Sequence, residues 1–243
     1  MGGSKICIHC GASVVTRQGQ PAQALFDQEL YRKSKILKLL ECQWCELVAD
    51  RYIESEGMMV LIDLVLQKPE AYRHVLFNEN YWIIISKLAL LTIICDGYIR
   101  WSALTTSGEF FEQEYQFYIM CLNFALGLLT FLTVTIASLV TSVSSFVTLF
   151  NGLLMAYSAR FCNVAALLWA SPLETTDPYA NIGPSLMWVF IYLLFFMATF
   201  RVIQVSTNKS WLVSGVIGVL AHVAWHLILH FDFIIAPFSC LSN

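Results

Sequence analysis

Cys7-Ile8-His9-Cys10-Gly11 and Cys42-Gln43-Trp44-Cys45 are two paired-cysteine turns. Behind them stand Ala49-Asp50-Arg51-Tyr52-Ile53-Glu54, Leu61-Ile62-Asp63-Leu64-Val65-Leu66 and Lys68-Pro69-Glu70-Ala71-Tyr72-Arg73-His74-Val75-Leu76-Phe77-Asn78. Two thiolates separated by two residues grip one ion from a tight turn, and two such turns complete a tetrahedral sulphur site. Cys7, Cys10, Cys42 and Cys45 are therefore the expected ligands of a structural zinc ion, with His9 a passenger inside the first turn. Four sulphur ligands leave no open position for water, so catalysis at such a metal is not expected. Gly11 suits the end of the first turn, where φ > 0 is often needed. The 31 residues between the turns exceed the roughly 15–20 of an ordinary zinc ribbon. An insert must fold away from the site.

The rest of the chain has a different character. Of 243 residues, 58% are hydrophobic and only 13% charged, against roughly 45–50% and about 25% in soluble domains. This composition predicts a mostly α, polytopic membrane protein carrying a small zinc-ribbon-like head. A net charge of −3 gives no basic field for nucleic acid. The other cysteines, Cys95, Cys121, Cys162 and Cys240, are scattered in or beside apolar runs and read as small buried hydrophobes. Reduced thiols fit the close pairs better than disulfides. The first sixty residues contain no apolar stretch of the length a secretory signal needs. An internal span is then expected to drive insertion.

Three regions follow. Residues 1–56 form the metal-nucleated head, too poor in core residues to fold without the ion. Its basic run, Arg32, Lys33, Lys35 and Lys38, is a solvated face or a contact for anionic head groups. Residues 57–80 contain an apolar run too short to cross a bilayer, expected as a buried element of the head or a segment lying on the membrane surface. Residues 81–243 hold about five spans, near 81–99, 117–140, 146–168, 185–200 and 211–231; four result if part of 117–170 is re-entrant. With five, the head and the 201–210 linker share one side and carry eleven of the fourteen Lys and Arg. The positive-inside bias places that side in the cytosol.

Polar residues inside the spans are the other candidates. His222, His226 and His230 recur every four residues in the last span and fall within about an 80° arc of the helix. They read as a packing stripe, a polar or head-group pathway, or metal ligands. Arg160 lies well inside the third span, where a charge must face protein, water or a head group, unless the helix ends early and leaves it at the interface. No phosphate loop or nucleophile elbow is present, and no enzyme activity is expected.

In this order, the two turns, the Asp50–Tyr52 motif and the Asp63, Lys68, Pro69, Tyr72, Arg73 and His74 motif closely resemble the Arv family ("ACAT-related protein required for viability"). The specific resemblance covers about residues 5–80. It implies a multi-pass endoplasmic-reticulum protein of sterol homeostasis and trafficking, linked also to sphingolipid metabolism and glycosylphosphatidylinositol-anchor assembly. It carries zinc ligation onto Cys7, Cys10, Cys42 and Cys45, and it transfers no catalytic residue. The resemblance leaves two mechanisms open. Either the spans move sterol, sphingolipid or a glycolipid intermediate, or the zinc head recruits lipid-processing enzymes and the spans anchor it. A histidine-metal hydroxylase is the remote alternative.

Overall fold

The computed structural model describes residues 5–15, 20–35, 38–102, 110–139, 143–169, 182–207 and 209–230. Residues 103–109 and 170–181, which join expected spans, lie outside them. The chain divides into two compact units, Met1–Tyr81 and Trp82–Asn243.

In the first unit the 57–80 segment is packed together with the cysteine turns. The described residues hold no extended strand, only isolated bridges. Ile6 pairs with Ser13 and Glu41 with Val48 around the two turns, while Val15–Pro21 and Phe26–Leu39 close the insert. The insert carries a short helix, α1 (Gln28–Ser34), which ends at Lys35 in a left-handed conformation with φ 58°. Cys7, Val14, Ala22, Leu25, Cys42 and Ala49 make a small core with Leu40, Cys45 and Ile53 against it. A core of this size explains why so short a unit needs a cross-link. A 3₁₀ turn (Arg51–Glu54), α2 (Gly57–Val65), α3 (Pro69–Arg73) and a π turn (His74–Asn78) complete the unit. Pro69 opens α3 where its missing N–H costs nothing.

The second unit is a helical bundle: α4 (Trp82–Ser102), α5 (Phe110–Leu139), α6 (Val143–Ser158), α7 (Asn163–Trp169), α8 (Ile182–Thr207) and α9 (Trp211–His230). Along α4 the buried positions are Ile85, Ala89, Thr92, Asp96 and Gly97, spaced at one helical face, while Leu90, Leu91 and Ile94 point outward. Small and polar residues inside with large aliphatic ones outside is the pattern of a helix solvated by lipid. The principal contacts run α4–α5, α5–α9, α9–α8, α8–α6 and α6–α4, closing a ring.

Among the described residues four helices are long and apolar enough to cross a membrane: Trp82–Ser102, Gln113–Leu139, Leu186–Thr207 and Trp211–Leu229. The span expected at 146–168 is not a single helix. It is broken into α6, a 3₁₀ turn at Ala159–Cys162, and α7. The break coincides with Arg160, which is drawn sideways to a carboxylate on α4. The interrupted segment still packs between α4 and α8.

Close helix approach depends on Gly97. A Cβ there would lie 2.6 Å from Cys121 Sγ and 3.2 Å from its backbone nitrogen. Gly97→Ala is expected to push α4 off α5 and destabilise the bundle by about 1–3 kcal/mol, read as a lower thermal midpoint in detergent. Cys121→Ala should recover only part of the loss, because the backbone clash remains. Gly57→Ala, which meets nothing within 4 Å, should leave the midpoint unchanged or slightly raised.

Candidate metal centre and its buried clamp

The two cysteine turns are built alike. Gly11 N–H donates to Cys7 O at 2.9 Å and Cys7 N–H to Ala12 O at 2.8 Å; Glu46 N–H donates to Cys42 O at 2.9 Å and Cys42 N–H to Leu47 O at 2.8 Å. Gly11 closes the first with φ 77°, and Glu46 closes the second with φ 61°. A glutamate in that left-handed region costs on the order of 1–2 kcal/mol. Completing the sulphur site offsets that cost. Ile8 N–H donates to Ala49 O at 2.9 Å and joins the turns edge to edge.

Cys7 Sγ lies 3.7 Å from Cys45 Sγ, Cys10 Sγ lies 3.6 Å from Cys42 Sγ, and all four sulphurs fall within 4.8 Å of one another. A tetrahedron of thiolates about 2.3 Å from a central ion has sulphur–sulphur edges of about 3.8 Å. The donor set and its spacing fit a metal ion. Burial pushes the Cys7 thiol up to about 12, against the backbone N–H donors of Cys10 and His9. Burial also opposes ionisation of Cys42, but the N–H groups of Trp44 and Cys45 outweigh it and hold that thiol at about 7. Within the cluster, Cys42 ionises more readily than Cys7.

The expected motif residues converge on one buried carboxylate behind this cluster. Asp50 is fully buried. Its Oδ1 accepts from Tyr52 N–H at 2.9 Å, and its Oδ2 accepts from His74 Nδ1–H at 2.7 Å and Asn78 Nδ2–H at 2.7 Å. A carboxylate only accepts, which assigns the proton to Nδ1 of the imidazole. The π turn brings His74 and Asn78 onto the same oxygen. Asn78 also accepts from Ile6 N–H at 3.0 Å and donates to Ile6 O at 2.9 Å, and Lys5 Nζ donates to the Asn78 carbonyl. Arg73 Nη1 donates to Ile8 O at 2.7 Å and His9 O at 2.9 Å, gripping the first turn from outside.

A second buried acid holds α2. Asp63 accepts from Tyr52 Oη at 2.7 Å and Lys68 Nζ at 2.7 Å, with Arg51 Nη2 at 3.6 Å. Tyr72 Oη donates to Gln67 Oε1 at 3.0 Å and ties α3 to the turn before it. Asp50, Tyr52, Asp63, Lys68, Pro69, Tyr72, Arg73 and His74 therefore serve one clamp. Asn78 reaches both the carboxylate and the backbone of Ile6, just before Cys7, a role that its place in the motif did not disclose.

Removing Asp50 takes the acceptor from His74 Nδ1–H and from Tyr52 N–H, and leaves Asn78 Nδ2 with only its bond to Ile6 O. Asp50→Ala should destabilise the first unit by about 3–5 kcal/mol. Hydrogen exchange over 5–15 and 69–78 should accelerate while α4, α5, α8 and α9 keep their protection. Lys68 first, and then Tyr52, hold the Asp63 carboxyl below its ordinary value. Its folded-state pKa is thus below the unfolded value of about 3.9. The contact stabilises above that value and is lost as pH falls through the lower, folded one. Lys68→Met should move the acid midpoint for exchange in α2 to higher pH; an unchanged midpoint would assign the pair no role.

In the second unit the structure pairs Arg160 with a residue that sequence reasoning missed. Arg160 Nε donates to Asp96 Oδ2 at 2.8 Å, and Asn163 Nδ2 donates to Asp96 Oδ1 at 2.8 Å. The guanidinium lies 4.4 Å from the Trp225 ring centroid and 5.8 Å from that of Phe195. A lone acid in one apolar span and a lone base in another were the available signal. His222 Nε2 meets Thr199 Oγ1 at 3.2 Å, and the rings of Phe131, Tyr192, Phe195 and Phe196 surround the imidazole. His226 packs on Tyr192 and Trp225. The side chain of His230 lies outside the described residues. Among those residues, only the four cysteines gather at metal-ligand distances.

The comparisons with known proteins bear on both units. The Arv1-like family model matches residues 6–205. The chain is 29% identical over 198 residues to Protein ARV1 of Homo sapiens, covering 74% of this chain and 69% of that protein. Its mouse counterpart, also Protein ARV1, is 28% identical over 75% of this chain and 71% of its own length. Protein ARV 2 of Arabidopsis thaliana is 36% identical over 100 residues, 39% of each chain. No solved structure matches. With the head, α4 to α7 and nearly all of α8 inside the matched region, this chain belongs to the Arv1-like family.

Proposed function

We propose that the chain acts in sterol homeostasis at the endoplasmic-reticulum membrane, helping to move or distribute sterol, with sphingolipid or a GPI-anchor intermediate as related cargo. Membership of the Arv1-like family across residues 6–205 is the observation that carries this reading. The chemistry of the head agrees with binding and positioning, not turnover. Asp50, Asp63, Arg73 and His74 are all engaged in holding the fold, and four thiolates close the coordination sphere of a metal. Zinc is the ion proposed for Cys7, Cys10, Cys42 and Cys45, supplying a structural cross-link when bound. In the five-span arrangement, the concentration of Lys and Arg in residues 1–80 and the 201–210 linker supports a cytosolic head.

A second reading is favoured by one feature of the head. Trp44, at the second cysteine turn, is 76% exposed, and Leu47 and Val48 beside it are exposed too. An apolar tip on a rigid metal knuckle is a docking surface for a lipid-processing enzyme. Sterol exchange between donor and acceptor liposomes separates the two. Purified, reconstituted protein should accelerate exchange over protein-free liposomes. If the rate equals that of empty liposomes while Trp44→Ser loses protein partners in cells, the adaptor reading stands and the transport reading fails.

A further inference from the structure

Helix α2 is built with its polar residue inside and its apolar residues outside. Asp63 and Val60 are the buried positions of Gly57–Val65, and Asp63 is held there by Tyr52 and Lys68. Met58, Met59, Leu61, Ile62, Val65 and, at the C-cap, Leu66 are between 47% and 62% exposed. Six large apolar side chains on less than three turns form a patch that water solvates poorly. The ionic grip on Asp63 fixes the rotation of the helix, so the patch cannot turn inward without leaving a buried carboxylate unpaired.

The occupant follows from continuity of the chain. The first unit ends at Tyr81, and the next residue, Trp82, opens a 21-residue apolar helix long enough to cross a bilayer. Only residues 67–81 separate the patch from that helix, and most of them are coiled into α3 and the π turn. By chain length alone the head cannot leave the neighbourhood of the membrane surface. Arg51 and Lys68 meet Asp63 on the polar side of α2, and with Glu54, Glu56 and Glu70 in the same stretch of chain the segment has no cationic excess. We propose that α2 is a monotopic membrane element. Its outward face is buried in the head-group and acyl boundary of the bilayer that the spans occupy, and it is held there by apolar area and not by charge. The inference rests on the membrane fold and is independent of the sterol reading.

Full-length protein in liposomes of phosphatidylcholine alone tests this. A photoreactive benzoyl-phenylalanine replaces Ile62 in one sample and Ser55, an exposed residue outside α2, in another. Phospholipid adducts are expected at Ile62 and not at Ser55, with yields unchanged by high salt. The double variant Leu61→Ser, Leu66→Ser should lower the Ile62 adduct about tenfold through loss of apolar area, with one metal ion per chain retained as proof that the head still folds. Adducts to protein at Ile62, equal lipid yields at both positions, or a yield that collapses in salt would each overturn the proposal. Failure of sterol exchange would leave it untouched.

Discussion

A buried carboxylate with three hydrogen-bond donors is the constraint on which the head depends. Asp50 takes the N–H of Tyr52, the imidazole of His74 and the amide of Asn78, groups separated by up to 28 residues. Each donor is attached to something else. Asn78 holds Ile6 just before the first cysteine, Tyr52 holds Asp63 and through it α2, and Arg73 beside His74 holds the carbonyls of the first turn. The four sulphurs close one end of this structure and Asp50 locks the other. Neither end has a hydrophobic core large enough to do so alone.

The helical unit uses the same device in a different solvent. With lipid outside, apolar area no longer drives helix association, and small residues and polar contacts take over. Gly97 lets α4 approach α5. The Asp96–Arg160 pair with Asn163 joins α4 to the break between α6 and α7. A charge at this depth would cost several kcal/mol unpaired. Its carboxylate partner and the faces of Trp225 and Phe195 replace the water it lost.

Much of this was legible in the chain itself. Thiol spacing singled out the four cysteines whose sulphurs gather within 4.8 Å of one another, and the run of hydropathy located the membrane helices. Less was legible where the contact is long-range. Nothing in the local sequence around Asp50 says that His74 will reach it, because that contact depends on the π turn at His74–Asn78. The span expected at 146–168 read as continuous because Leu, Ala and Phe surround Arg160, while the break coincides with a contact to Asp96, 64 residues away. The left-handed Glu46 gave no glycine signal, since the turn is imposed by Cys42 and Cys45 around the site. The exposed face of α2 was ambiguous for a related reason: an apolar run looks the same whether it faces a core or a bilayer.

The claim at the centre of this account is that Cys7, Cys10, Cys42 and Cys45 enclose a single metal ion with sulphur on all four sides. X-ray absorption at the metal edge of purified, full-length protein tests it most directly. The account predicts one zinc per chain with four sulphur neighbours at about 2.3 Å and no light-atom ligand. A shell containing nitrogen or oxygen, or protein that is folded over residues 5–78 with no metal bound, would contradict it.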